Sequence, residues 1–140
     1  MPIKKVIVTA SLLLAMALPQ TLAAQTGFSA TPVLTGSKTI TGQALEYPNT
    51  QSPEVSSVLV AIEPGGESGR HKHPVSPQIY VIEGEVTIEF DDGKQKKFSA
   101  GKAFLEAVNT WHNAKNLGGK PVKMLVVFFG GKDRKNMIRP

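Results

Sequence analysis

Short runs of β-forming residues, separated by glycine, proline, asparagine and aspartate, are the feature that most limits what this chain can fold into. From residue 25 onward, no long stretch repeats its apolar residues at the 3.6-residue period of a helix. Residues 86–90 alternate apolar and polar side chains and lead into Asp91-Asp92-Gly93, a typical hairpin turn. The longest apolar run, residues 122–129, favours a strand covered on both faces, one of them at a dimer contact. Strands at these intervals predict an all-β sandwich or barrel.

The predicted domain extends beyond these strands at both ends. It is expected to span residues 25–140, with its strands within 57–130. Residues 28–40 are expected to add edge strands, and residues 42–53 to form a loop. The last nine residues, 132–140, hold four basic residues and one acid, so we expect a solvated and disordered basic tail.

The N-terminus has the pattern of a secretory signal peptide over residues 1–24. Two lysines and no acid precede the apolar run 6–18, and a proline and small residues follow it. Cleavage is expected after Ala23 or Ala24, which predicts a periplasmic or secreted protein with no membrane attachment. The alternative is an uncleaved anchor, although a membrane span needs about 20 apolar residues.

Composition excludes several functional classes. The chain has no cysteine, so disulfides, thiolate metal sites and cysteine nucleophiles are ruled out. Its net charge is +5, from 16 basic and 11 acidic residues. Removal of Lys4 and Lys5 with the signal peptide leaves 14 basic and 11 acidic residues, a net +3. The basic residues are spread along the chain rather than clustered beside aromatic residues, so nucleic-acid binding is not expected.

The three histidines of the chain are His71, His73 and His112. Residues two apart on a strand point to the same face, so His71 and His73 present their imidazoles together. A β-fold that brings His112 beside them forms a three-histidine cluster, which suits Fe, Mn, Ni, Cu or Zn. The alternative is that the pair is simply a hydrogen-bonded or surface feature.

The spacing around these histidines resembles the two sequence motifs of the cupin superfamily. The matching positions are Gly65, His71, His73 and Gly84 in the first motif, and Gly101, His112 and Asn116 in the second. Ala107 and Asn109 replace the proline and the second glycine of the second motif. The resemblance implies a double-stranded β-helix, or jelly-roll, barrel in which the three histidines hold a divalent metal. It also implies structural roles for the three glycines and Asn116.

One position departs from the family pattern in a way that matters for the chemistry. Pro77 stands where a metal-binding cupin usually has glutamate, so the fourth ligand is missing there. Gln78 is the adjacent candidate, although strand alternation gives the inward side to position 77 and Ile79. Without it, the site is three histidines plus water or a substrate oxygen. The opposite interpretation is a degenerate site that binds an organic ligand without metal.

Other side chains near the motifs have candidate roles. The candidate pocket residues are Tyr80, Phe104, Trp111 and Phe128, and each has core packing or covering of the barrel end as the alternative. Glu106 is the candidate general base, because it precedes His112 and alternation can turn it inward. Asn116 is expected to brace a loop through backbone groups rather than to contact metal.

Two classes of function follow. One is a small metal-dependent cupin enzyme that oxidises, dioxygenates or isomerises a small organic molecule. The other is a non-catalytic module that binds a small ligand or the metal itself. A homodimer is expected in either case, from the apolar run 122–129.

Overall fold

The structure, a computed structural model, describes residues 27–132 and 134–140. The regular elements in this part of the chain are all β-strands, as predicted. The predicted signal peptide, residues 1–24, and its cleavage site lie outside the described residues. Within the part of the chain described, no helix has the length and apolar character that crossing a membrane would require.

The strands form two antiparallel sheets. The strands of the described chain are β1 (Pro53–Ile62), β2 (Gln78–Glu83), β3 (Glu85–Phe90), β4 (Gln95–Ser99), β5 (Ala103–Leu105), β6 (His112–Lys115) and β7 (Val122–Gly131). One sheet has the order β1-β7-β2-β5 and the other has the order β4-β3-β6. This is the double-stranded β-helix arrangement that the sequence predicted.

The hydrophobic core lies between the two sheets. Strand β7 buries alternate residues, Val122, Met124, Val126 and Phe128, while the residues between them are exposed or half-buried. Strand β3 contributes Val86, Ile88 and Phe90 from the other sheet; these two sets belong to one core cluster. Within this chain β7 is therefore fully covered on one face only, whereas the sequence favoured a strand covered on both.

The N-terminal segment does not form the edge strands expected over residues 28–40. Its ladder contact is an isolated bridge between Lys38 and Ala44. Its backbone forms local turn hydrogen bonds instead. The Thr39 N–H donates to the Gln43 carbonyl at 2.8 Å, and the Gly42 N–H donates to the Thr39 carbonyl at 2.9 Å. A local turn, joined to β5 by one hydrogen bond from the Ile40 N–H to the Leu105 carbonyl (2.8 Å), thus takes the place of an edge strand, and β1 begins only at Pro53.

The basic C-terminal segment packs against the domain rather than extending into solvent. Ile138 and Lys72 exchange two backbone hydrogen bonds, of 2.9 and 3.0 Å. Arg139 Nη1 donates to the Ser68 carbonyl at 2.9 Å. The tail is therefore ordered at Ile138 by backbone pairing rather than disordered throughout, while residues 134, 135, 137, 139 and 140 remain exposed to solvent as expected.

This packing places the His-x-His segment between two neighbours. On one side, His71 and His112 exchange two backbone hydrogen bonds of 2.9 Å, which extends the sheet beyond β6. On the other side, Lys72 pairs with Ile138. The two histidines of the pair are thus held in an extended backbone, and their side chains share one face.

Candidate metal centre

The imidazoles of His71, His73 and His112 converge in the interior of the domain. The residues are 3%, 2% and 1% exposed. Their ring centroids lie 4.4 to 5.2 Å apart. Each residue offers one ligand nitrogen, and these nitrogens all lie within 4.8 Å of one another. The fold therefore assembles the three-histidine cluster that the sequence predicted.

Backbone carbonyls orient all three rings in the same way. The Nδ1 atoms of His71, His73 and His112 lie 2.8, 2.7 and 2.8 Å from the carbonyl oxygens of Gly69, Asn136 and Thr110, respectively. A carbonyl oxygen can only accept, so Nδ1 carries the proton that it donates. In the neutral imidazole each Nε2 then keeps its lone pair, which is the state that a metal-ligating histidine requires.

A buried carboxylate lies beside the cluster. Glu106 follows β5 and is 3% exposed. Its Oε1 lies 3.0 Å from His112 Nε2, and its Oε2 lies 3.6 Å from His73 Nε2. The sequence named Glu106 as a general base near His112, and the structure places it directly against two of the three imidazoles.

One carboxylate oxygen of Glu106 and one ring nitrogen of His112 face each other without forming a hydrogen bond. Within the described residues, Glu106 Oε1 and His112 Nε2 are the buried side-chain atoms that have no hydrogen-bond partner. With its proton on Nδ1, His112 presents a lone pair to the carboxylate, so two acceptors meet at 3.0 Å. A buried contact of this kind is favourable only when a cation or a proton is shared between the two groups.

Burial and the neighbouring charges act in opposite directions on the pKa values of Glu106 and His112. Burial by itself raises the pKa of the Glu106 carboxyl, but the nearby His112 and His73 outweigh it and lower the pKa to about 2. Burial lowers the pKa of His71 to about 4, so this imidazole is neutral at pH 7. For His112, burial lowers the pKa but the Glu106 carboxylate outweighs burial, so the net shift is upward.

These residues fit a divalent transition metal ion. The donor set is three imidazole nitrogens, with the Glu106 carboxylate beside them, and it suits Fe, Mn, Ni, Cu or Zn. The two unpartnered atoms also indicate a positive charge at this point. The hydrogen bonds to Nδ1 are the outer support that metal-ligating histidines normally have.

A cavity of about 230 Å³ adjoins the cluster. Its polar lining comes from Ser68, His71, His73, Glu106 and Asn136. The rest of the wall is apolar and comes from Val58, Val60, Ile62, Ile79, Ile88, Ala114, Met124, Val126, Phe128 and Met137. Such a cavity suits a small and largely apolar molecule whose polar end reaches the histidines.

Phe128 is the predicted pocket residue that lies in this cavity, with its ring centroid 5.3 Å from that of His73. Gln78 lines a different cavity, together with Leu34 and Tyr47, so it does not take the role of a metal ligand suggested by the sequence. Strand alternation explains this difference, because Ile79 points to the histidines and its neighbours in β2 point away. Tyr80 shares the outward side with Gln78.

The other two predicted pocket residues also lie elsewhere. Phe104 is buried in the core and stacks on Phe98, with ring centroids 3.8 Å apart. Trp111 lines a surface cavity, and the Arg70 guanidinium and Lys72 ammonium lie 4.1 and 4.8 Å from its ring. Packing and charge contacts, rather than the site, therefore occupy these two rings.

The four predicted structural residues occupy turns and loop ends. Gly65, Gly84 and Gly101 all have a positive φ, of 77°, 77° and 84°, a conformation that disfavours other residues. Asn116 is 1% exposed, and its side-chain amide donates to the carbonyls of Ile62 and Lys120. It braces the chain beyond β6, as the sequence suggested.

Sequence reasoning missed the contribution of the C-terminal segment to the site. The Asn136 carbonyl orients His73, and Met137 lines the cavity. Four basic residues in 132–140 indicated a solvated tail, and the pair Met137-Ile138 was the available signal for packing. Buried Ser76 was also missed: its Oγ donates a 2.8 Å hydrogen bond to the Glu106 carbonyl, and a buried serine has no distinctive sequence pattern.

Comparison with known proteins agrees with the architecture. No curated protein matches the sequence significantly. A conserved Klebsiella pneumoniae protein with a double-stranded β-helix domain is 23% identical, with a TM-score of 0.52 over 65% of this chain and 86% of that one. Lactobacillus farciminis oxalate decarboxylase, in a formate complex, is 22% identical, with a TM-score of 0.50 over 67% of this chain and 33% of that one. At these identities the likeness concerns the fold alone. The family model for the cupin domain matches residues 58–128, which is half of the sequence, and the chain therefore belongs to the cupin family.

Proposed function

We propose that this protein binds a divalent transition metal ion, Fe, Mn, Ni, Cu or Zn, through Nε2 of His71, His73 and His112. The bound ion serves chemistry on a small organic molecule in the adjoining cavity. The observation that carries this proposal is the common orientation of the three rings, each with Nδ1 bonded to a carbonyl and Nε2 free. Three such nitrogens, all within 4.8 Å of one another in a buried cluster, can bind one ion together.

The reaction class is oxidation, dioxygenation or isomerisation of the bound molecule. A metal ion held here would supply Lewis-acid or redox chemistry. The apolar walls, including Ile79, Val126 and Phe128, orient the molecule and exclude water from the polar end. The carbonyl bonds to Nδ1 keep the imidazoles in one tautomer, so they do not exchange protons with the bound molecule.

A non-catalytic module that stores or senses a metal or a small ligand is the alternative. Its main support in the sequence was the absence of a carboxylate at position 77, and Glu106 now provides a carboxylate next to two of the histidines. Turnover distinguishes the two functions. Metal-loaded protein that consumes dioxygen or converts a small organic substrate is an enzyme, whereas stoichiometric binding without conversion indicates the module.

Elemental analysis of the mature domain tests metal binding directly. The protein is purified without a histidine tag and without chelator, and it is compared with His71→Ala/His73→Ala. We expect about one ion per wild-type chain and almost none in the double variant, because three protein ligands define an open metal site. Gln78→Ala is the matched control, since Gln78 is close in sequence but lines another cavity. Absence of metal in the wild type, or its retention by the double variant, contradicts the proposal.

The place of action is the periplasm or the extracellular medium, in keeping with the basic and apolar pattern of residues 1–24. N-terminal sequencing of protein recovered from these fractions tests this. The first residue is expected to be Ala24 or Gln25. Recovery of a chain that still begins at Met1 would contradict export with cleavage.

A further inference from the structure

We propose that Glu106 is the fourth protein ligand of this metal, in place of the carboxylate that position 77 lacks. The inference rests on the proposed metal binding and adds a ligand to it. It also changes the role of Glu106, which the sequence suggested as a general base.

Glu106 lies directly across the sheet from Pro77. Strand β2 pairs with β5 so that Gln78 faces Leu105 and Ile79 faces Phe104. The same register brings Pro77 opposite Glu106, and the Glu106 N–H donates to the Pro77 carbonyl at 3.0 Å. Cross-strand neighbours project to the same side of a sheet. A carboxylate at 106 therefore enters the space that a side chain at 77 would enter.

The backbone of Glu106 is held at both of its polar groups. Besides the N–H bond to Pro77, its carbonyl accepts a 2.8 Å hydrogen bond from Ser76 Oγ, and Ser76 is itself buried. A group fixed in this way positions its carboxylate without further ordering. Ser76 is a positioning residue for Glu106 in this scheme.

The distances fit donors that share one ion. Two atoms that are each bound to one metal at about 2.1 Å lie roughly 3.0–3.4 Å apart. Glu106 Oε1 lies 3.0 Å from His112 Nε2, and Oε2 lies 3.6 Å from His73 Nε2. The Oε1–Nε2 distance to His112 is that of adjacent ligands, whereas the Oε2 distance to His73 is slightly longer. A cation shared by Oε1 and His112 Nε2 accounts for two buried atoms that face each other without a hydrogen-bond partner.

Metal affinity of Glu106→Gln is the primary test. Co²⁺ is titrated into wild type and variant in competition with a chelator, and the visible Co²⁺ absorption spectrum is recorded. We expect the isosteric amide to weaken binding by at least the roughly 10–100-fold that loss of a supporting partner costs, and to change the spectrum. Glu83→Gln, an exposed acid of β2 paired with Lys123, is the matched control and should bind as the wild type does. Unchanged affinity and spectrum in Glu106→Gln would overturn the inference.

A carboxylate at position 77 tests whether residues 77 and 106 can replace each other as the ligand. Pro77→Glu in the Glu106→Gln background is expected to regain most of the lost affinity, since both side chains enter the same space. Pro77→Glu alone brings two carboxylates together in a buried site, so it should lower stability in the metal-free protein. A folded double variant that binds Co²⁺ no better than Glu106→Gln would overturn the claim that Glu106 takes the place of a carboxylate at position 77.

A measurement on the unmodified protein covers the case in which the variants do not fold. Infrared difference spectra of wild type with and without Co²⁺ should show a shifted carboxylate stretching band when Glu106 coordinates. Metal binding without such a shift would overturn the inference while leaving the three-histidine site intact. A wild-type protein that binds no Co²⁺ would instead overturn the proposed function itself.

Discussion

Individual buried polar residues set the geometry around the metal centre, and Asn116 shows how. Its Nδ2 donates to the carbonyls of Ile62 and Lys120, both at 2.8 Å, and its Oδ1 accepts from the Gly118 N–H at 3.0 Å. One amide thus satisfies three backbone groups and ties the end of β1 to the loop before β7. Asn116 touches none of the three histidines through these bonds.

Asn116→Ala should therefore destabilise the fold without removing the metal. Leaving buried backbone groups without partners costs about 1–3 kcal/mol each, so we expect a loss of about 2–3 kcal/mol after partial rescue by water. Urea unfolding measures the loss, and elemental analysis checks the metal. Asn113→Ala, at a less buried position, should cost less. Loss of metal from a folded Asn116→Ala would show a ligand rather than a brace.

Two glycines at positive φ differ in their surroundings. A Cβ on Gly84 would lie 2.5 Å from the Pro121 carbonyl oxygen, whereas nothing lies within 4 Å of a Cβ on Gly101. Gly101→Ala should lose about 1–2 kcal/mol from the left-handed conformation alone. Gly84→Ala should lose roughly 1–3 kcal/mol more, because backbone must move. Equal shifts in the urea midpoints of the two variants would contradict this account.

At the scale of elements, the C-terminal segment behaves as a short extra strand beside the His-x-His segment. The Ile138 N–H donates to the Lys72 carbonyl at 2.9 Å, and the Asn136 carbonyl accepts from His73 Nδ1 at 2.7 Å. The second bond fixes the ring of a proposed ligand. The segment is therefore expected to influence metal binding, although none of its residues belongs to the cluster.

Ile138→Pro tests this influence. Proline removes the N–H that pairs with Lys72, so the segment should detach and His73 should lose its orienting carbonyl. We expect metal affinity to fall about 10-fold, as for other outer partners of metal-ligating histidines. Ile138→Ala retains the N–H and should bind nearly as the wild type does. Equal affinities in the proline and alanine variants would show that the segment does not support the site.

At the scale of the whole molecule, the outer face of the larger sheet carries an exposed apolar patch. Val55 and Leu59 of β1 are 61% and 76% exposed, and Phe129, which pairs with Val55, is 39% exposed. Strand β1 is also at the edge of its sheet. Several exposed apolar side chains on one face of a sheet are typical of an interface, and a second copy of the chain is the partner we expect.

Light scattering of the mature protein should therefore give the mass of a dimer. Leu59→Glu places a charge in the centre of the patch and should give a monomer that remains folded. Leu117→Glu, at an exposed leucine in the loop before β7, is the matched control and should remain a dimer. A monomeric wild type would contradict the expected homodimer.

The sequence alone determined the all-β fold, the resemblance to cupins and the shared face of His71 and His73. These follow from local pattern and spacing: alternation decides which side chains share a face, and turn residues decide where strands end. His71 and His73 share a face whatever the remainder of the chain does. The same alternation argued, correctly, that Gln78 points away from the histidines.

Only the tertiary structure decided which residues complete the site. Glu106 lies beside the histidines because β5 pairs with β2 in a register that places Glu106 opposite Pro77. The sequence of neither strand by itself predicts that register. The C-terminal segment joins the site because its apolar pair and backbone groups find partners far away in the sequence. Long-range pairing depends on the packing of the whole domain, which is why composition could not predict that Asn136 and Met137 of the basic tail line the cavity.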